Sequence, residues 1–358
     1  MGNASQLRAV VFSELLAPPF DEGFKNLALA LIRELGRERQ VVGLTSFGAD
    51  IPEYGIRKVK AGKSLLSSEL RRVVRSFAPD DIYYIPTASY TLASFLRAQV
   101  LRLYGRNTRV HLIVLQPRHL GPFARALIPH LAPYRVWAQS PNTVSLLTAL
   151  GQKVGTMPSG VDADRFRPVS SKEKRGLRVE FELTPDAFVV LHVGHIKEKR
   201  NVELLARVQE LPGCQAVLVG STSTRQDEAL GRRLVAAGVK IIRDYVPRIE
   251  QLYQLADCYL FPVLAETGSI EIPLSMLESM ACGVPVVTTP YGGMEQQFPA
   301  SEALRYGNDA AELVLGVQAV QKSRPTGMRE LVEPFTWTAV FKRTILATGA
   351  DTIDKEQT

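Results

Sequence analysis

The chain has 358 residues, 46% hydrophobic and 22% charged, which suits a globular protein of about two domains. No stretch approaches the ~18 apolar residues of a membrane-spanning helix, and the first apolar run, residues 9–12, is too short for a secretory signal. Residues 1–165 carry 21 Lys/Arg against 12 Asp/Glu, residues 166–358 carry 22 against 24, and the net charge is +7.

The basic first half points to an anionic partner such as a phospholipid surface, a lipid phosphate or an acidic glycan, with a merely solvated surface as the alternative. Nucleic acid is not expected, because no recognised module is present and aromatics are not interleaved with the basic residues. Cys214, Cys258 and Cys282 have neither disulfide-framework nor zinc spacing. A reducing, cytoplasmic setting follows as the expectation.

Strands and helices alternate from end to end, the pattern of stacked β-α-β units with parallel sheets. In the first half, residues 10–12, 41–44, 82–85, 110–115 and 136–138 read as strands. Leu27, Leu31 and Leu35 mark one helical stripe, and Leu92, Phe95, Leu96, Val100 and Leu103 mark another. In the second half the strands are 188–193, 216–219, 240–243, 258–261 and 284–288, with helices near 202–210, 227–237, 249–256 and 273–281. Residues 158–174, with Gly160, Pro168, three serines and four basic residues, read as the boundary. Ligands of such sheets bind outside the carboxyl ends of the strands. No GxGxxG follows a strand, against an ordinary NAD enzyme.

One segment concentrates the chemistry. A strand ends at Phe261, a polar loop carries Glu266 and Glu271, and Pro273 and Gly283 suit the start and the cap of a helix. Leu274, Leu277 and Ala281 form its apolar stripe, and Glu278 falls on the same stripe. A carboxylate there needs hydrogen-bond donors. Two ribose hydroxyls would supply them, and so would a neighbouring arginine. Lys197, Lys199 and Arg200 lie between a strand and a helix that Asn201 could cap. That is either an anion site or an exposed basic turn.

The run Leu277-Glu278-Ser279-Met280-Ala281-Cys282-Gly283-Val284-Pro285-Val286-Val287, followed by Gly292, Gly293 and Glu295, resembles the signature of family-four retaining glycosyltransferases of the GT-B fold. The resemblance extends to Ser159-Gly160-Val161-Asp162 with Phe166 and Pro168, which look like that family's inter-domain linker. It covers about residues 136–295 well and the first half loosely. It implies two Rossmann-type domains facing across a cleft: an acceptor domain, 1–165, joined by a terminal helix at about 335–358, and a nucleotide-sugar domain, 166–334. The reaction implied is retaining sugar transfer from a nucleotide-diphosphate sugar, without metal or further cofactor, to an acceptor glycan or a lipid-linked acceptor.

Residue by residue, the resemblance implies ribose binding by Glu278 and a diphosphate loop around Gly194, Lys197, Lys199 and Arg200. His195 stands where that family has arginine. Lys199 would stabilise the leaving diphosphate. Eight positions before Glu278 stands Ile270, so the glutamate that approaches the transferred sugar becomes Glu271 or, further back, Glu266. Tyr245 and Val246, after Asp244, hold the place where the base packs. In the first half, Gly23 remains of a glycine-rich loop, with Lys25 and Asn26 as polar additions. His119 is a candidate catalytic group, although a lone histidine is commonly structural.

Asp162 and Asp164 form an Asp-x-Asp pattern, but in the linker. Arg71, Arg72 and Arg75 on one helix, and Arg97, Arg102, Arg106 and Arg109 on or after the next, form a candidate face for peripheral contact with an anionic inner membrane surface. The other reading of the chain is a catalytically impaired homologue that binds nucleotide or a partner protein.

Overall fold

The computed structural model describes residues 6–105, 107–221 and 226–347. The chain divides into two compact units, Gly160–Thr336 and a unit formed by Met1–Ser159 with Trp337–Thr358. The division falls a few residues before 165/166, because Val161 and Phe166 are buried in the core of the second unit. Within the expected boundary stretch, a capping box between Ser170 and Glu173 already starts the helix Ser171–Glu180.

The first unit holds β1 (Arg8–Ser13), β2 (Gln40–Thr45), β3 (Ile56–Lys58), β4 (Asp81–Ile85), β5 (Arg109–Ile113), β6 (Arg135–Ala138) and β7 (Val154–Thr156). They form one parallel sheet in the order β3-β2-β1-β4-β5-β6-β7. The second unit holds β8 (Phe188–Gly194), β9 (Cys214–Gly220), β10 (Lys240–Ile242), β11 (Cys258–Phe261), β12 (Val286–Thr288) and β13 (Leu304–Tyr306). Their order is β10-β9-β8-β11-β12-β13, again all parallel. Both sheets reverse their strand order once, between β1 and β4 and between β8 and β11. A crevice opens at such a switch point.

Every strand read from the sequence is present. The three missed ones, β3, β7 and β13, are three-residue edge strands, too short to show a period. The strand expected over 284–288 starts only at Val286, since Gly283 turns the chain at φ +74° and Pro285 has no N–H to pair. The stripe expected on the helix Leu92–Tyr104 is corrected more sharply. Leu96 and Leu103 are exposed, and the buried face is Ser94, Phe95, Ala98, Leu101 and Tyr104.

Trp337–Phe341 packs on the first-unit helix Gly23–Leu35, where the Thr338 hydroxyl donates to Glu34 Oε2 at 2.9 Å. Trp337–Phe341 is thus grouped with the first unit. Residues 348–358 lie outside the described residues. No helix among the described residues is long and apolar enough to cross a membrane.

Candidate functional site

The loops that follow β8 and β11 flank the switch point of the second sheet, and they carry most of the candidate residues. They approach each other: a Cβ on Gly268 would stand 3.3 Å from the Lys199 carbonyl oxygen. The Tyr259 hydroxyl on β11 donates to the Val193 carbonyl on β8 at 3.3 Å, tying the two strand ends together.

Behind them lies the helix Leu274–Ala281, with Pro273 at its N-cap and Gly283 just past its end. Arg329 holds its C-terminus by donating to the carbonyls of Ala281 (2.7 Å), Phe166 (3.0 Å) and Ala163 (3.0 Å). Leu274, Leu277 and Ala281 are buried, but so are Met276, Ser279 and Met280. The helix is enclosed nearly all round, and Ser275 and Glu278, one turn apart, are its half-buried side. Glu278 is therefore on the open edge and not on the core stripe. Tyr253 donates to its Oε2 at 2.7 Å, and among the described residues no arginine forms an ion pair with it. Burial pushes the Glu278 carboxyl above its usual range, against the lowering effect of the Tyr253 bond and of Arg165.

The diphosphate-loop candidates separate by direction. Glu198–Arg200 forms a single 3-10 turn ended by Asn201 at φ +52°. Asn201 is thus the end of that turn and not the cap of the next helix, Leu204–Gln209, which begins three residues later. The turn leaves Lys197 and Lys199 exposed and sends Arg200 inward. An Arg200 Nη1 lies 3.3 Å from where a Cβ on Gly194 would stand, so only glycine keeps that space open. Burial lowers the Arg200 guanidinium, an effect partly offset by Tyr259 and Tyr291. His195 is half-buried on the same loop.

His192, two residues before Gly194, is fully buried. Its Nδ1 faces the Leu260 carbonyl at 2.8 Å, which places the proton there and leaves Nε2 as an acceptor with no hydrogen-bond donor among the described residues. Burial pushes this imidazole down to about 3, so it is neutral at physiological pH.

Of the two glutamates in the β11 loop, Glu266 is exposed and Glu271 is buried. Gly292 and Gly293 back Glu271 directly: Gly293 N donates to its carbonyl at 3.0 Å, and a Cβ on Gly292 would meet that oxygen at 2.1 Å. Tyr291 clamps the rest of the loop. Its hydroxyl accepts from Ser269 N (2.7 Å) and faces the carbonyls of Glu266 (2.9 Å) and Ser269 (2.8 Å). Tyr245 is exposed and Val246 half-buried after β10. The Asp162 carboxylate accepts from Arg165 N at 3.1 Å, a turn contact inside the linker.

The first-unit candidates divide likewise. Gly23 opens the helix Gly23–Leu35, and Lys25 and Asn26 donate to the carbonyls of Pro19 (2.9 Å) and Phe20 (3.1 Å), folding their own loop. His119 is exposed after β5. The arginines do not share one face. Arg97 turns in to Glu14 Oε1 at 2.7 Å and Arg109 turns in to Asp81 at 2.8 Å, whereas Arg71, Arg72, Arg75 and Arg102 are exposed. Arg106 lies outside the described residues.

Sequence reasoning missed three tyrosines, Tyr253, Tyr259 and Tyr291, and the buried His192. They sit on a helix (Tyr253), two strands (His192 and Tyr259) and a loop (Tyr291) that the fold alone brings beside the motif, so no spacing announces them.

Two doubly wound parallel sheets, each with one switch point, are the paired domains of the GT-B fold. Solved structures of that shape agree. HepE of Anabaena in complex with UDP-glucose has a TM-score of 0.74 at 17% identity, over 96% of this chain and 99% of that one. A sucrose-phosphate synthase of Thermosynechococcus elongatus has 0.75 at 16%, over 97% and 100%. Residues 187–320, within the second unit, match the family model described as Glycosyl transferases group 1. A D-inositol 3-phosphate glycosyltransferase of Mycobacteroides abscessus is 34% identical over 160 residues, which are 42% of this chain and 34% of that protein. A sulfoquinovosyl transferase of Arabidopsis thaliana is 26% identical over 193 residues, 50% of this chain and 36% of that protein. The matched stretch is thus about a third of these curated relatives.

Proposed function

We propose that the chain is a retaining glycosyltransferase that moves a sugar from a nucleotide-diphosphate donor held by the second unit. The observation that carries this reading is the pairing, at one switch point, of an inward guanidinium, Arg200 beside Gly194, with an open-edged carboxylate, Glu278 held by Tyr253. One suits a diphosphate and the other a ribose diol.

In this reading Glu278 accepts from the ribose hydroxyls, and Arg200, helped by Lys197, Lys199 and His195 at the rim, neutralises the departing diphosphate. The bond from the anomeric carbon to the phosphate oxygen breaks with its electrons going to the diphosphate. The acceptor oxygen attacks from the same face, and its proton passes to that phosphate oxygen. Glu271 lies toward the transferred sugar. No metal is required. The acceptor is a glycan or a lipid-linked molecule, met at the inner membrane surface. The UDP-glucose bound by the Anabaena neighbour makes uridine donors the first to test.

The second reading, a nucleotide-binding homologue without turnover, is favoured by Ile270 at the place expected for a glutamate. One assay separates the two. A panel of UDP-, GDP- and ADP-sugars is incubated with the protein, with and without lipid and glycan acceptor fractions, and free nucleoside diphosphate is measured. Release from one donor that collapses in Arg200→Ala and Glu271→Gln supports transfer. Nucleotide binding without release from any donor establishes the second reading.

A further inference from the structure

In the first unit, the helix Ser68–Phe77 borders an open depression of about 590 Å³ lined by Leu66, Ser67, Ser68, Arg71, Arg72, Arg75 and Tyr104. We infer that this depression is a seat for the phosphate headgroups of an anionic phospholipid membrane, with Leu66 entering the acyl boundary beside them. The inference deepens the membrane-contact part of the reading above and does not depend on the donor chemistry.

Charge points to an anion. Residues 57–75 contain seven Lys/Arg and one carboxylate, Glu69. None of the seven forms an ion pair among the described residues, although elsewhere in the unit Arg39, Arg97 and Arg109 are all paired inward. Three guanidiniums within one depression match phosphate oxygens in charge and geometry.

The apolar rim distinguishes a lipid surface from a soluble phosphate. Leu66 is 69% exposed, and its loop cannot fold it away. Arg97 Nε donates to the Lys63 carbonyl at 2.5 Å, and the Ser67 hydroxyl donates to the Lys60 carbonyl at 2.5 Å. Tyr104 accepts from Ser67 N at 2.8 Å and donates to the Leu65 carbonyl at 3.1 Å. Leu65 itself is buried with φ +61°, a left-handed backbone that a leucine keeps only where its surroundings impose it. A rigid loop that displays a leucine next to unpaired arginines has the chemistry of interfacial insertion.

The test uses the full chain and sedimentation with phosphatidylcholine vesicles, with and without phosphatidylglycerol. The expected result is binding only to the anionic vesicles, weakening steeply as salt is raised. R71Q/R72Q/R75Q should bind about a hundredfold more weakly, roughly fivefold for each charge, equivalent to about 1 kcal/mol apiece. Leu66→Ser should weaken it severalfold. UDP or GDP affinity of each variant, measured in parallel, confirms the fold and keeps the donor reading separate. No binding to anionic vesicles, or binding indifferent to the three arginines, overturns the inference. Indifference to Leu66, together with displacement by millimolar inorganic phosphate, would also overturn it and mark a soluble phosphate site.

Discussion

The Tyr253 hydroxyl stands 2.7 Å from Glu278 Oε2 and fixes one oxygen of that carboxylate, leaving the other, in the reading proposed above, to a ribose hydroxyl. This makes Glu278 a preset acceptor in a partly dry setting. Glu278→Ala is expected to weaken nucleoside diphosphate binding by about 1.5–3 kcal/mol, and Tyr253→Phe by about 1 kcal/mol. Calorimetric titration of folded variants with unchanged affinity would remove the ribose assignment.

The same carboxyl has a raised pKa, so it contributes most to stability when protonated, and that contribution is lost as pH rises through its folded value. Glu278→Gln should therefore raise the melting temperature at pH 7 while changing it little near pH 4. A uniform shift at both pH values would contradict this.

Arg200 and Lys199 are neighbours with opposite directions. Arg200→Ala should lower affinity for a nucleoside diphosphate by about 1.5–3 kcal/mol and leave the nucleoside nearly unaffected. Lys199→Ala, on the exposed side of the turn, should cost under about 1 kcal/mol. The reverse ranking would place the diphosphate outside the turn.

Gly292→Ala tests the backing of Glu271. A methyl group 2.1 Å from the Glu271 carbonyl, at φ +58°, forces the loop to move, and donor turnover should fall at least tenfold. Gly55→Ala is the control: its φ is +64°, but nothing lies within 4 Å, so only about 1 kcal/mol of stability is at stake. Equal turnover in both variants would detach Glu271 from the chemistry.

In the first unit, Asp81 accepts from Arg39 (2.8 Å), Arg109 (2.8 and 2.9 Å) and His111 (3.1 Å). Asp81→Asn leaves buried cations unmatched and should cost about 3–5 kcal/mol in urea unfolding. Burial would raise the Asp81 pKa, but the bonds from His111 and Arg109 outweigh it and hold it low. Burial lowers His111 and His192, so the stability that these neutral rings contribute is lost as pH falls below 6.5 toward their folded values. His192→Asn should flatten that acid slope, as read from urea midpoints at pH 7 and 5.

The fold was legible because buried parallel strands are written as short apolar runs, such as Val189-Val190-Leu191, separated by helical periods. Glu278 and its helix were legible too, since Pro273 and Gly283 bracket them. What the helix faces was not. An apolar stripe reports one buried side, and Met276, Ser279 and Met280 show that the other sides are buried as well. The direction of Lys199 against Arg200 depends on the one-turn twist at 198–200, which periodicity does not encode. The arginine face failed for a related reason: Arg97 and Arg109 find carboxylates contributed by other elements, Glu14 just after β1 and Asp81 on β4.

The first unit takes its last layer from beyond Thr336, where Trp337, Val340 and Phe341 cover the helix Gly23–Leu35. On the ribosome, that helix must wait with its docking side bare until the whole of Gly160–Thr336 has been synthesised. About 300 residues separate Leu35 from Trp337, so at about 5–20 residues per second the wait is on the order of fifteen to sixty seconds. The second unit is continuous and can close as soon as it emerges, so the half that starts first is the half that finishes last.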